Sequence, residues 1–350
     1  MSASQQSKPK TQLSEKAPAA DSGPIDASHG GINKFLRRWN ARVSLQSQGL
    51  VLMLVGLVTF FTIRSPFFLT TTNLLNIAAG SAVLGIMAAA QTFLIIGGGF
   101  DVSVGATVAV STVTLGIFLD QRLPVLVAIA LVLLIGLMIG AVNGFLIVIL
   151  KINPLIATLG TMSIFTGLAF LLSSGQARVV RNEFLRWLTV TKVGPVHLVI
   201  FLLLGVYAFG IVFERMTVHG RRVYAIGGNE EASLLAGLPV QRMTFVLYMV
   251  SGLSAAVGGI ILTGLLGSSS PQVGGTFLLS VITAVILGGT SLYGGRGSLV
   301  GTLAAVAILG ILNNGFSLLL LPSYIQTMSL GVALIIAVLL DGAVRKIELI

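Results

Sequence analysis

Two parts of this chain carry residues whose types and spacing could do chemistry. One is the polar stretch Gly220-Arg221-Arg222-Val223-Tyr224-Ala225-Ile226-Gly227-Gly228-Asn229-Glu230-Glu231-Ala232-Ser233-Leu234-Leu235-Ala236-Gly237-Leu238-Pro239. Asn229 suits an N-cap, because its side-chain oxygen can accept from the free amides of a first helical turn. Glu230 and Glu231 complement the positive end of the dipole. Gly237 suits the left-handed position after a helix, and Pro239 blocks continuation. The pattern predicts a two-turn helix with Leu234, Leu235 and Leu238 exposed unless something covers them. Such a helix either lies on the bilayer or on its own bundle, or inserts into a partner, and we favour insertion. The chemistry would be docking. The other part is Asp101, which follows Gly97-Gly98-Gly99-Phe100. Its carboxylate would either cap the next helix, through the amides around Ser103 and Val104, or stand in a solute pathway.

Several chemistries are absent. No Gly-Lys pair occurs, so there is no Walker phosphate loop. The three histidines, His29, His197 and His219, are scattered and no His-Glu-x-x-His occurs, so no metal site is expected. No cofactor is expected either. With no Cys, disulfides, thiolate nucleophiles and Cys-held metals are excluded. Of the eleven acids, Asp101 and Asp120 lie near a span, each at its end, and none is placed at mid-span. A proton-driven carrier is thereby disfavoured, although sodium sites built from backbone carbonyls stay open.

The elements that must position these residues are membrane helices. The chain is 55% hydrophobic and 9% charged, with 42 Gly and a mean hydropathy of +0.99. Soluble domains carry about 25% charged residues. A spanning helix needs about 20 residues, and a charge at its centre costs at least ~3 kcal/mol. The charge-free runs 243–295 and 297–340, of 53 and 44 residues, each hold two spans. Gly267-Ser268-Ser269-Ser270-Pro271-Gln272 divides the first and Leu321-Pro322-Ser323 the second. The fold class is all-α, a polytopic helical membrane protein of about ten spans. They lie near 46–63, 73–96, 102–119, 124–150, 155–173, 195–213, 242–264, 277–292, 298–320 and 324–340. The third and eighth are short and Gly-rich, as re-entrant or broken helices are.

Residues 1–33 are expected to be a disordered cytoplasmic tail without the apolar core of a signal peptide. Residues 34–350 form one transmembrane domain with a cytoplasmic loop at 214–241. Twelve bases fall on the side expected to be cytoplasmic: Lys34, Arg37, Arg38, Arg42, Lys151, Arg215, Arg221, Arg222, Arg242, Arg296, Arg345 and Lys346. Six fall outside: Arg64, Arg122, Arg178, Arg181, Arg186 and Lys192. Both termini are therefore expected inside, and the net charge of +10 reports orientation in a lipid bilayer, not nucleic-acid binding. Segment 174–194, which concentrates four of the outer charges beside Phe184 and Trp187, is either an interfacial helix or an outer docking or gating element.

Gly136, Gly140 and Gly144 make two overlapping Gly-x-x-x-Gly steps on one face of span four, which permit close helix packing, the role we favour, or else line the pathway. Asn143, Asn313 and Asn314 are uncharged polar groups in apolar surroundings. Each needs a hydrogen-bond partner, either another helix or a sugar.

Glu231-Ala232-Ser233-Leu234-Leu235-Ala236-Gly237 resembles the Glu-Ala-Ala-three residues-Gly loop of ABC importer permeases, with Ser233 in place of the second Ala. Three more blocks resemble the ribose-type sugar permease branch of that family. They are Gly98-Gly99-Phe100-Asp101-Val102-Ser103-Val104-Gly105, Asn153-Pro154-Leu155-Ile156-Ala157-Thr158-Leu159-Gly160 and Gly288-Gly289-Thr290-Ser291-Leu292-Tyr293-Gly294-Gly295-Arg296-Gly297-Ser298. The resemblance runs from about residue 45 to the end. It departs at Leu278 and Ser280, where many members carry Glu and Asp, which leaves the sugar open. It implies a non-enzymatic pore subunit in the bacterial inner membrane that imports a small neutral sugar by alternating access. Its partners would be two cytoplasmic ATP-binding subunits, an extracytoplasmic sugar-binding protein and a second permease copy, identical or not. Arg221, Arg222, Tyr224, Asn229, Glu230, Glu231, Leu234, Leu235 and Gly237 would couple to the ATPase. Asp101, Ser103, Asn143, Thr158, Asn313 and Asn314 are the candidates for the substrate path. The alternatives are an ion-coupled secondary carrier, or a related permease for an autoinducer or amino acids.

Overall fold

The computed structural model describes residues 48–348, with side-chain surroundings through Leu339. The tail 1–33 and the bases Lys34, Arg37, Arg38 and Arg42 lie outside the described residues, as do the side chains of Arg345 and Lys346. In chain order the helices are α1 (Gln48–Arg64), α2 (Thr71–Gly80), α3 (Ala82–Ile96), α4 (Val104–Asp120) and α5 (Val125–Gly144), which continues as a π-helical turn, Phe145–Ile149. Then follow α6 (Pro154–Ser173), α7 (Glu183–Val190), α8 (Leu198–Met216), α9 (Val218–Gly228), α10 (Glu230–Leu235) and α11 (Val240–Leu266). The last are α12 (Gly275–Leu287), α13 (Leu299–Leu318) and α14 (Ser323–Glu348).

α5, α6, α8, α11 and α13 are each long and apolar enough to cross a membrane. α2 and α3 together make a sixth such segment, bent by 44°. α1, α4, α12 and the stretch Ser323–Leu339 of α14 are shorter apolar helices. These ten segments fall on the ten runs read from the sequence, and the chain is a polytopic helical membrane protein.

Local chemistry sets several boundaries. Thr70 accepts from the Asn73 amide at the start of α2, Asn153 precedes Pro154 and accepts from Leu155 N, and Ser298 accepts from Gly301 N before α13. The expected second span is broken at Gly80-Ser81, a small-residue pair of the kind that kinks helices. The expected eighth span stops at Leu287. Gly289 takes φ +93°, and residues 288–298 continue without helix, with Thr290 and Ser291 buried. Irregular backbone is tolerable at such a place because protein encloses it.

α3 and the first three turns of α4 are buried on every side. α11 buries 61% of its most apolar window, against 22–28% for α5, α6 and α8. The latter turn residues such as Leu134, Ile156 and Phe209 outward. α11 packs against α3, α4, α5 and α7 and is the central post of the bundle. Within buried α4 the hydroxyls of Thr107, Ser111 and Thr114 each donate to the carbonyl four residues back, which satisfies them without another helix.

The three small residues of span four meet α11, as their spacing predicted. A Cβ on Gly140 would run into the Tyr248 carbonyl oxygen, one on Gly136 into Ala256, and one on Gly144 would lie 2.9 Å from the Phe245 ring. From the other side, a Cβ on Gly252 would strike the Gly136 carbonyl oxygen. At the end away from α9 and α10, two-residue strands pair antiparallel, Arg178 opposite Ser269 and Val179 opposite Ser268. Arg178 there bridges Asp120 at 3.2 Å. Segment 174–194 holds α7, whose Leu185 and Thr189 are buried while Trp187 is exposed. A Cβ on Gly264 of α11 would lie 2.7 Å from Thr189 Cγ2.

The α5–α11 contact gives a direct test. Gly140→Val or Gly252→Val should destabilise the purified protein by about 1–3 kcal/mol, read as a lowered thermal midpoint in detergent. Gly160→Val, where nothing lies within 4 Å, should stay within about 0.5 kcal/mol of the parent.

Candidate functional site

The connection between α8 and α11 is a helical hairpin built on two caps. Thr217 leaves α8 with φ −104° and accepts from Gly220 N at 3.0 Å, which starts α9. α9 buries Gly220, Val223 and Ile226 and leaves Arg221 exposed, with Arg222 and Tyr224 half-buried. Asn229 then caps α10, its Oδ1 accepting from Ala232 N at 2.9 Å, with Glu230 and Glu231 in the first turn. Gly237 takes φ +74°, and its N–H donates to Leu234 O while Leu238 N–H donates to Ser233 O. The short helix therefore lies where the sequence placed it, between Asn229 and Gly237. Leu235 is 85% exposed and Leu234 51%, whereas Leu238 is half-buried, so only two of the three leucines face outward. Leu238 turns inward because it lies past the helix, on the strand of chain leading back to α11. α9 was not expected from the sequence; its two glycine-rich ends, Gly220 and Gly227-Gly228, disguise a helix.

Glu214, which sequence reasoning passed over, ties this hairpin to the bundle. It sits in the last turn of α8. Tyr224 donates its phenolic proton to Glu214 Oε1 at 2.8 Å, with the Gly297 carbonyl 3.0 Å away as the other acceptor. Glu214 Oε2 accepts from Leu299 N, in the first turn of α13, at 3.3 Å. Burial first, and then the Glu214 carboxylate, push the Tyr224 phenol above the usual tyrosine range, so it is a neutral donor at physiological pH. The position of Glu214, immediately after the charge-free run 193–213, was the one available signal.

A crossing of three glycine-containing segments lies beside this junction. Gly295 N–H donates to Ile96 O, the last residue of α3, at 2.8 Å. A Cβ on Gly227, near the end of α9, would strike that same Ile96 oxygen, and one on Gly294 would lie 3.1 Å from Gly98 Cα. Gly98, Gly294 and Gly295 all have positive φ. Main chains therefore touch main chains, and the hairpin is keyed to both the 97–103 break and the 288–298 loop.

Asp101, 1% exposed, stands in that break. Its Oδ1 accepts from Ser103 N at 2.8 Å, Ser103 Oγ at 2.7 Å and Asn143 Nδ2 at 3.4 Å; its Oδ2 accepts from Ser251 Oγ at 2.7 Å. Asn143 also donates to Ser103 Oγ at 2.7 Å and accepts from Thr161 Oγ1 at 2.7 Å. Gln91 donates to the Asp101 carbonyl, and Phe100 N–H donates to the Tyr248 hydroxyl at 3.1 Å. One polar junction thus joins α3, α4, α5, α6 and α11. The carboxylate accepts the Ser103 amide at the head of α4, and the Val104 amide is not among its hydrogen-bond donors.

The structure brings Asp101, Ser103 and Asn143 together. Thr158 is buried one turn from Thr161 and donates to the Pro154 carbonyl. The side-chain polar groups of all four are engaged within the protein. Asn314 belongs elsewhere: it exchanges two hydrogen bonds with Asn73 of α2, at 2.9 and 2.8 Å. Asn313 is exposed. If the Asp101 junction holds the break together, Asp101→Leu, which strands four donors, should cost about 3–5 kcal/mol in thermal unfolding in detergent. Ser251→Ala, which removes one donor, should cost about 1–2 kcal/mol. Equal midpoints for Asp101→Leu and the parent would show that the junction carries no stability.

Comparison with known proteins bears on the whole assembly of helices. Residues 73–339 match the family described as branched-chain amino acid transport system / permease component. The chain is 40% identical to the ribose import permease protein RbsC of Bacillus subtilis over 299 residues, 85% of this chain and 93% of that one. It is 35% identical to the autoinducer 2 import system permease protein LsrD of Photorhabdus temperata over 297 residues, 83% of this chain and 89% of that protein. The LsrD protein of Escherichia coli K12 is likewise 35% identical over 296 residues, covering 82% and 88%. No solved structure matches. With its apolar helices, its separate polar hairpin and this agreement over most of its length, the chain belongs to the branched-chain amino acid transport system / permease component family.

Proposed function

We propose that this chain is the membrane-spanning subunit of an ATP-driven importer. Two copies, or this chain and a related one, would take a small neutral sugar from an extracytoplasmic binding protein. They would release it into the cytoplasm by alternating access. The observation that carries the reading is the α9–α10 hairpin: a capped helix presents Leu234 and Leu235 to a partner while its base is locked to two interior loops. Exposed apolar residues on a rigid support are what a docking anchor needs. The permease names of the relatives, one for ribose and others for autoinducer 2, support a small polar solute and keep both open.

Charge supports the orientation. Lys151, Arg215, Arg221, Arg222, Arg242 and Arg296 lie at the hairpin end, and Arg64, Arg122, Arg178, Arg181, Arg186 and Lys192 at the other. Counted in the sequence with Lys34, Arg37, Arg38, Arg42, Arg345 and Lys346, the excess of bases at the hairpin end supports a cytoplasmic hairpin and cytoplasmic termini in a bacterial inner membrane. The ATPase would sit on separate subunits that grip α10, with Arg221, Arg222, Tyr224, Asn229, Glu230, Glu231 and Gly237 shaping or bordering the contact.

Reconstitution tests this. Uptake of labelled D-ribose or autoinducer 2 into proteoliposomes should require ATP, the nucleotide-binding subunit and the binding protein together. Uptake by this chain alone under a sodium or proton gradient would make it a secondary carrier instead. Leu234→Glu with Leu235→Glu should weaken association with the ATPase about 30-fold or more, as loss of a ~2 kcal/mol anchor does. The thermal midpoint of the isolated chain should not move, because both side chains are exposed.

A further inference from the structure

Three of the six residues first considered for the solute path are sealed inside the Asp101 junction and a fourth, Thr158, is buried beside it, which directs attention to polar groups exposed on the apolar helices. α2 and α13 run antiparallel, with Asn73 opposite Asn314 and a Cβ on Gly310 directed at Ser81 and Ile77. From the contact line, Asn76 and Ser317 each lie three residues on, about 60° short of a full turn. Thr72 and Asn313 each lie one residue back, about 100° in the same sense. Since the helices are antiparallel and face each other, equal offsets on the two land on the same side of the pair. The other side is closed: Ile77 and Ile311 pack with Phe61 and Phe68, and the Phe61 ring fills the space beside Gly315.

Thr72, Asn76, Asn313 and Ser317 are all exposed. Neither the Asn76 nor the Asn313 carboxamide has a hydrogen-bond partner among the described residues, whereas Ser317 Oγ donates to the Asn313 carbonyl at 2.8 Å and accepts from Gln326 Nε2 of α14 at 3.5 Å. Asn313 lies about 7 Å from the end of a 20-residue apolar helix, at five residues of 1.5 Å each. A free carboxamide at that depth is costly against lipid tails and is well placed against water or a polyol.

We infer that Thr72, Asn76, Asn313 and Ser317 form one polar wall of the solute route, in the half of the bundle away from the α9–α10 hairpin. They would offer carboxamide and hydroxyl contacts to a neutral polyhydroxylated molecule. The inference rests on the importer reading for the identity of the solute, but not for the exposure of the wall to water. Asp101, Ser103 and Asn143 then hold helices, Thr158 is buried with its hydroxyl bonded within its own helix, and none of the four touches the solute in this conformation.

The chain has no Cys, so single cysteines report cleanly. In membranes containing the complete transporter, Asn76→Cys and Asn313→Cys should react with a charged, membrane-impermeant methanethiosulfonate. The thiolate forms only where water reaches it, so rates should exceed those of Phe209→Cys and Ile335→Cys by about 10-fold or more. Modification should abolish D-ribose uptake, and Asn313→Leu should lower uptake several-fold where Asn313→Gln restores it. Rates equal to those of the apolar controls would place the wall against lipid and overturn the inference. Cross-linking of Asn313→Cys between two copies by a short bifunctional reagent, with no labelling by the charged one, would make it a copy-to-copy contact and overturn it too. ATP-independent uptake would sink the importer reading while leaving the labelling pattern intact, so the two failures are distinguishable.

Discussion

A carboxylate buried among apolar helices survives only where donors replace its water, and the break between α3 and α4 is organised around that requirement. Asp101 receives Ser103 through both its amide and its hydroxyl, Ser251 from α11 and Asn143 from α5. The donors come from three different elements, so the charge cannot be satisfied unless α4, α5 and α11 are already in register. That register also needs close approach of α5 to α11, which Gly136, Gly140 and Gly252 permit by offering no Cβ at the crossing. The small-residue face and the polar junction are thus two ends of one constraint: remove the glycine contact, and Asn143 and Ser251 no longer converge on Asp101.

The same break is gripped from its other side by main chain alone. Ile96 O accepts from Gly295 N, and Gly227 leaves no room for a side chain against that oxygen. Backbone-to-backbone contact is stiff, because no rotamer can absorb a displacement. Tyr224 and Glu214 add a second fixed point by joining α9 to the end of α8 and the head of α13. On the proposed reading, a pull on α10 moves α9 as a lever. It acts first on the 97–103 and 288–298 segments, the two stretches of irregular chain that can bend without breaking a helix.

Much of this was legible in the sequence where the physics is local. Charge-free runs of membrane length marked the ten apolar segments, the Gly-x-x-x-Gly steps marked a packed face, and Asn229, Gly237 and Pro239 bounded α10. The break at Gly80-Ser81 was missed because an apolar run shows hydropathy, not direction, and both halves are apolar. α9 was missed because Gly227-Gly228 looks like a loop, whereas its glycines serve the contact with Ile96 and Gly295. The partner of Asn314 could not be read at all: Asn73 lies 241 positions away, and nothing local distinguishes an amide that finds another amide from one that stays free.

That last distinction governs how polar residues in apolar helices should be interpreted here. Asn143 and Asn314 look alike to Asn313 and Asn76 by composition and by surroundings in sequence. The first pair spend their hydrogen bonds on other helices and fix the bundle, while the second pair have no partner among the described residues. A bilayer tolerates a structural amide because its partner travels with it through folding. It tolerates an unpartnered one only where something polar comes and goes. Conformational change in such a bundle is therefore expected to preserve Asn73–Asn314 and the Asp101 junction as rigid units and to alter what lies against Asn76 and Asn313.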